Sequence, residues 1–360
     1  MIRPMNRVYT IQYLRALAAL AVVALHAGKR VEPSLPDGVS SVLNFGHAGV
    51  DLFFVISGFI MWSISRHRST TAGGFVIRRI IRVAPPFWIA ILAWTAVNLI
   101  LGYSWITITP AHVLQSLSFI PHYSPTFPDR IWPVLVPGWT LNYEMFFYIV
   151  FGAALWLPAH LRLRALTIAF VSVVSLSTFS PPTQAWAVTY SSPLLLEFLS
   201  GCLIAELWMR RPGGLMRNLG LTLMGIALLA YFGSSVDPSD HWSRTLGFGG
   251  PAVLITLGMA GLGAYVRHIP LFEKLGDASY AIYLFHLFVL LPLTEIWIRM
   301  PSLHNTTMAF GFIALSLGLA SLFGLWLYRH MEYPLQKRLN RLFLAPPQTT
   351  QPQDPSLAKR

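Results

Sequence analysis

Arg15 and His26 lie eleven positions apart in YLRALAALAVVALHAG, a stretch that is otherwise apolar. At about 100° per residue that step returns to nearly the same face of a helix, with a rise of roughly 16 Å. One helical stripe would then carry a guanidinium at one end and an imidazole at the other. Guanidinium groups bind phosphates through paired hydrogen bonds. An imidazole titrates near neutrality and can take a proton from a hydroxyl as that hydroxyl attacks a carbonyl. Two carboxylates also sit in apolar runs, Asp51 in GHAGVDLFFVISGF and Glu144 in PGWTLNYEMFFY. If His26, Asp51 and Glu144 converge at one depth, a carboxylate can orient and charge-stabilise the imidazole. Arg78, Arg79 and Arg82 in FVIRRIIRVAPPFW fall close together on one helical face.

Each of these groups also has a plainer reading. Arg15 can snorkel to inner headgroups while His26 only ends its helix, and either carboxylate can be a buried partner between helices. The arginine cluster can rest on anionic lipid or hold a phosphorylated cytosolic ligand. His286, in GDASYAIYLFHLFV with Tyr280 and Tyr283 one and two turns before it, either lines a cavity or bonds a packed neighbour. Cys202 reads as a small core hydrophobe, Ser57 as a site of close helix packing beside Gly58, and Glu332 as a cytoplasmic structural contact.

The elements that must position these groups follow from composition. Of 360 residues, 54% are hydrophobic and 11% charged, and the mean hydropathy is +0.56. That is a membrane protein's balance. The net charge of +12 then sets orientation against anionic lipid and does not point to nucleic acid. A single cysteine excludes an internal disulfide framework and thiolate metal sites. No phosphate loop, dinucleotide fingerprint or HExxH occurs, and no metal is expected.

A span needs roughly 20 apolar residues. About ten candidates have cores near residues 9 to 27, 47 to 65, 84 to 102, 138 to 157, 165 to 180, 186 to 208, 218 to 234, 247 to 266, 277 to 298 and 307 to 327. The alternation of a β-barrel is absent, so the fold class is all-α and polytopic. Pro85 and Pro86 are expected to end the amphipathic turn that carries the arginines. Residues 111 to 120 are too short to span and suit an interfacial or re-entrant helix. The ionisable groups placed in spans are Arg15, His26, Asp51, Glu144, Glu197, Glu206, Asp277, His286 and Glu295.

With the N-terminus inside, 20 of the 26 Lys and Arg fall on the cytoplasmic side, and the outer segments hold only Lys29, Arg30, Arg130, Arg244 and Arg299. Both termini are therefore expected in the cytoplasm. The first run contains Arg15 and lacks a clear small-residue cleavage site, so it reads as a retained helix. Residues 1–342 form one membrane domain, and the Pro- and Gln-rich stretch 343–360 reads as a disordered cytoplasmic tail.

The motifs YLRALAALAVVALHAG, GHAGVDLFFVISGFI, FVIRRIIRVAPPFW, PGWTLNYEMFFY and LGDASYAIYLFHL occur in this order in the acyltransferase 3 family of membrane O-acyltransferases. The chain resembles that family over nearly all its spans. It looks most like the bacterial exopolysaccharide and O-antigen acetyltransferases, and it lacks the outer esterase-like domain of some members. The resemblance implies transfer of an acyl group, acetyl by default, from cytoplasmic acyl-CoA (acetyl-CoA) to a hydroxyl of a glycan or lipid-linked glycan outside a bacterial inner membrane. Arg15, Arg79 and Arg82, with Arg78 contributing less, would bind the donor's phosphates, and the roughly 16 Å from Arg15 to His26 is of the order of its pantetheine arm. His26 would be the general base, with Asp51 or Glu144 orienting it or holding the acceptor. Trp139, Asn142, Tyr143 or backbone amides would stabilise the oxyanion, and His286 would line the substrate cavity. An acyl-histidine intermediate stays open. The rivals are a transporter or flippase of a lipid-linked saccharide and, less well matched by five outer basic residues, a glycan polymerase or ligase.

Overall fold

The structure is a computed structural model and describes residues 8–67, 71–102 and 106–344. The cations Arg3, Arg7, Arg68, Lys359 and Arg360, and most of the expected tail, lie outside the described residues. The described chain is helical, and it contains no strand. The main helices are α1 (Tyr9–Val31), α2 (Ala48–His67), α3 (Ala72–Leu101), α4 (Trp139–Ala154), α5 (Ala159–Phe179), α6 (Leu195–Arg210), α7 (Leu215–Phe232), α8 (Gly250–Leu262), α9 (Ser279–Arg299), α10 (Thr306–Leu327) and α11 (Tyr333–Phe343).

Among the described residues, nine helical stretches are long and apolar enough to cross a membrane. The expected tenth is α4, which has only 16 residues and so is about 24 Å long. A 3₁₀ turn, Val136–Gly138, leads into it, with Pro137 and Gly138 buried. The helix thus begins already inside the protein, which is why it is short.

Three expectations change. Residues 72–83, expected in a loop, are the first part of α3, which runs 30 residues with Pro85 and Pro86 inside it. A proline removes one ladder bond and crowds the carbonyl four residues back. Just before the pair, Tyr280 Oη donates to the Val83 carbonyl at 2.8 Å, which ties this part of α3 to a neighbouring helix. The span expected over 186–208 is present as Ala185–Arg210, but it is divided into a short helix, Ala185–Tyr190, and α6, with Pro193 in the break. The span expected over 247–266 opens with a short helix, His241–Arg244, and a π-helical stretch, Thr245–Gly249, before α8. Residues 111–120 hold the eight-residue helix Pro110–Leu117, as its length required.

α1 sits at the centre, packed against α2, α8, α9 and α10 and the short helix Pro270–Asp277. It buries most of its length, including Arg15 at 8% exposure. The closest helix pair is α2 with α6. There a Cβ on Gly58 would run into the Phe198 carbonyl, and one on Gly201 into the Val55 carbonyl. Small residues let backbones touch where lipid gives no hydrophobic drive between helices. The aromatic core, with Phe198 stacked between Phe54 at 4.5 Å and Phe147 at 4.7 Å, fills the space between α2, α4 and α6.

Candidate active site

α1 contributes side chains to two cavities, called inner and outer after the orientation expected from the cation distribution. The inner one, about 70 Å³, is lined by Arg15, Ser57, Arg82, Thr140, Glu144, Tyr148 and Tyr280 among others. The outer one, about 920 Å³, is lined by His26, Lys29, Arg30, Trp139, Asn142, Tyr143 and Arg244 among others. Val50 and Tyr283 belong to the walls of both. The single stripe expected on α1 is therefore real in one respect: Arg15 faces one cavity and His26 the other.

His26 Nδ1 lies 2.9 Å from the Val22 carbonyl. A carbonyl only accepts, so Nδ1 carries the proton and Nε2 keeps its lone pair. His286 repeats the arrangement, with Nδ1 donating to the Tyr283 carbonyl at 2.7 Å and Nε2 buried without a hydrogen-bond partner among the described residues. The two rings pack at 4.9 Å between centroids.

Neither carboxylate hydrogen-bonds His26 among the described residues. Asp51 is fully buried and accepts two hydrogen bonds from Arg244, Nε to Oδ1 at 3.0 Å and Nη2 to Oδ2 at 2.9 Å. Arg244 Nη2 also donates to the His47 carbonyl at 3.2 Å, and its guanidinium lies 5.2 Å from the Trp139 ring centre. Asp51 is thus held by an arginine and makes no hydrogen bond to His26. Glu144 lies in the inner cavity, where it accepts from the Tyr148 hydroxyl and, at 3.3 Å, from Ser57 Oγ. The sunken start of α4 carries Glu144 past the depth of His26, whereas Trp139, Asn142 and Tyr143, nearer that start, reach the outer cavity.

On the inner side, Arg15 Nη1 donates to Gln12 Oε1 at 3.0 Å. Arg79 leaves Nε and Nη1 buried without partners among the described residues, with its guanidinium 5.8 Å from the Phe75 ring centre. Unpartnered buried donors are costly and mark a place where an acceptor is wanted. Arg78 is half-buried, and of the three arginines of the cluster only Arg82 lines the inner cavity.

Sequence reasoning missed Arg244, which it counted only as an outer cation. It took Ser57 for a packing residue, although the hydroxyl reaches Glu144. Glu332, read as a cytoplasmic structural contact, is 3% exposed and near enough to Arg82 and Arg15 to interact with both charges. The one available signal was its place in HMEYP directly after an apolar span.

The comparisons with known proteins agree with this architecture. An acyltransferase domain model matches residues 8–326. The chain is 38% identical over 299 residues to the exopolysaccharide production protein ExoZ of Rhizobium meliloti, covering 81% of this chain and 90% of that one. It is 25% identical to the acyltransferase MdmB of Streptomyces mycarofaciens, over 77% of each chain. It is also 25% identical to the peptidoglycan O-acetyltransferase OatA of Listeria monocytogenes, over 77% of this chain and 48% of that one. No solved structure matches. A polytopic helical protein with a matched domain over nearly its whole length, this chain is an enzyme of acyl transfer and belongs to the acyltransferase 3 family.

Proposed function

We propose that the protein transfers an acyl group, acetyl in the first instance, from cytoplasmic acyl-CoA to a hydroxyl of a cell-surface polysaccharide or its lipid-linked precursor at the outer face of a bacterial inner membrane. The observation that carries this is the pair of cavities meeting at Val50 and Tyr283, one walled by Arg15 and Arg82 and the other by His26. Arg15, Arg79 and Arg82 hold the phosphates of the donor at the inner mouth, with Arg78 at its edge. The pantetheine arm runs along α1, over the roughly 16 Å that separates Arg15 from His26, past Glu144, Ser57 and Tyr148.

His26 is the general base. Its Nε2 takes the proton of the acceptor hydroxyl as the oxygen attacks the thioester carbonyl, and returns it to the thiolate as the carbon–sulfur bond breaks. The products are an ester and free CoA, with no net proton released. Asn142, Tyr143 and Trp139 supply donors for the tetrahedral oxyanion. Asp51 acts through Arg244, whose orientation it fixes, and is a positioning residue. His286 supports the ring of His26.

Donor binding with Arg79→Ala and Arg82→Ala tests the inner half directly. Each change weakens acyl-CoA binding in this reading, and unchanged affinity with both arginines removed defeats it. A flippase of a lipid-linked saccharide would need neither CoA nor a covalent product, so label transfer from acyl-CoA separates the two.

A further inference from the structure

Of the five basic residues expected outside, four line the single outer cavity: Lys29, Arg30, Arg130 and Arg244. The fifth, Arg299, pairs with Glu295 at 3.5 Å on its own helix. Arg244 is neutralised by Asp51. Arg130 sits 3.4 Å from Asp129, and its guanidinium lies 5.7 Å from the Trp132 ring centre.

Lys29 and Arg30 differ from these. Lys29 Nζ meets His47 Nε2 at 3.3 Å, and among the described residues neither cation has a carboxylate within ion-pair distance. The other acids of the cavity wall are engaged locally. Asp240 accepts from the backbone amides of Trp242 and Ser243, and Asp237 accepts from the amide and hydroxyl of Ser239. The cavity therefore offers free cations beside aromatic walls of Tyr123, Trp132 and Trp139. Lys29 and Arg30 follow His26 by three and four positions, so they share its side of α1 one turn further out. That step, about 5 Å, is close to the width of one sugar ring.

We propose that the outer cavity selects an anionic acceptor: a glycan whose phosphate or carboxylate is bound by Lys29 and Arg30, about one sugar ring from the hydroxyl that His26 deprotonates. This rests on the acyl-transfer reading above and adds the charge and spacing of the acceptor. Phosphate and carboxylate share the required chemistry, one coming from a lipid diphosphate carrier and the other from an acidic sugar.

The test uses the full chain in vesicles of zwitterionic lipid with acetyl-CoA and three acceptor probes: an oligogalacturonide, its neutral methyl ester, and an undecaprenyl-diphosphate disaccharide. Acetyl transfer to host glycan extract and acetyl-CoA binding are measured in the same vesicles. At least one charged probe is expected to be acetylated about tenfold more efficiently than the ester, and salt, which screens exposed charges, should erase the difference. Preference for the oligogalacturonide assigns the anion to a sugar carboxylate, and preference for the diphosphate probe assigns it to the carrier. The double change Lys29→Ala and Arg30→Ala should raise KM for the preferred probe about tenfold while leaving KM for acetyl-CoA in place. Restoring charge with Lys29→Arg and Arg30→Lys should recover most of the loss, and Arg299→Ala should change neither constant. Equal use of the ester and the charged probes, or failure of every charged probe both to be acetylated and to compete with host glycan, overturns the proposal. Absence of acetyl-CoA binding and of transfer to host glycan overturns the underlying donor reading instead.

Discussion

The imidazoles of His26 and His286 pack at 4.9 Å, each with its Nδ1 proton committed to a carbonyl of its own helix. Both rings are thereby held in one tautomer with Nε2 basic, but only His26 lines the outer cavity. His26→Ala should lower kcat by at least about 100-fold, in the range of a lost general base, with acyl-CoA affinity retained. His286→Phe keeps a ring against His26 and should cost about tenfold. Steady-state transfer assays with a parallel donor-binding measurement check both. Equal losses for the two variants would mean that the assignment of roles is wrong.

Asp51 and Arg244 form a buried bidentate pair, 0% and 3% exposed. Removing one partner of such a pair strands a charge and typically costs about 3–5 kcal/mol. Asp51→Ala and Arg244→Ala should each lower the melting temperature in detergent sharply, and the pair Asp51→Leu with Arg244→Met should recover much of the stability. Activity should not return in the double variant, because the guanidinium beside Trp139 is gone.

Arg82 lines the inner cavity, and Arg79, three positions before it on α3, has two buried nitrogens unpartnered among the described residues. A hydrogen bond to a charged group contributes about 1.5–3 kcal/mol, so Arg79→Ala or Arg82→Ala should raise the Kd for acyl-CoA about 10- to 100-fold. Free adenosine 3′,5′-bisphosphate should compete with donor in the wild type and lose potency in parallel. A variant that changes kcat alone would place the arginine elsewhere in the cycle.

Much of this organisation can be read in the sequence, and the failures have physical causes. The helical period alone puts Arg15 and His26 on one stripe of α1, because one unbroken helix carries both. The arginine cluster is visible for the same reason. Glu144 was misplaced in depth because apolar runs do not show where a helix begins, and the buried turn Val136–Gly138 sinks the start of α4. The partner of Asp51 was invisible because Arg244 is 193 positions away and only packing brings the two together. Pro85 and Pro86 misled because a proline's local effect is to end a helix, whereas here α3 runs on through both and packs against α4 and α9.

Gly58 and Gly201 bring α2 and α6 into backbone contact. Gly58→Ala should destabilise the protein by about 1–3 kcal/mol, the usual cost of overpacking. Gly73→Ala, where a Cβ meets open space, should be neutral or slightly stabilising. Thermal melts of the two variants side by side separate a packing effect from a general glycine effect.

His112 and His122, in the segment between α3 and α4, pack at 5.0 Å, and burial holds both below the usual imidazole range. The unfolded chain therefore takes up protons first as pH falls. Stability from these two groups is fully present above the unfolded pKa, about 6.5, and is lost as pH falls from there toward the lower folded-state values. The melting temperature should drop across that window, and His112→Gln with His122→Gln should flatten the drop. An unchanged pH profile in the double variant would assign the acid sensitivity to other groups.

The central claim is that an acyl group passes from CoA on the inner side to a hydroxyl on the outer side under the control of His26. The most direct measurement is transfer of radiolabel from acetyl-CoA to host glycan by purified protein in lipid vesicles, wild type against His26→Ala. The account predicts label on glycan in the wild type, no label above background in the variant, and equal acetyl-CoA binding by both. Label transfer that survives in His26→Ala, or no transfer from any short-chain acyl-CoA by the wild type, would contradict it.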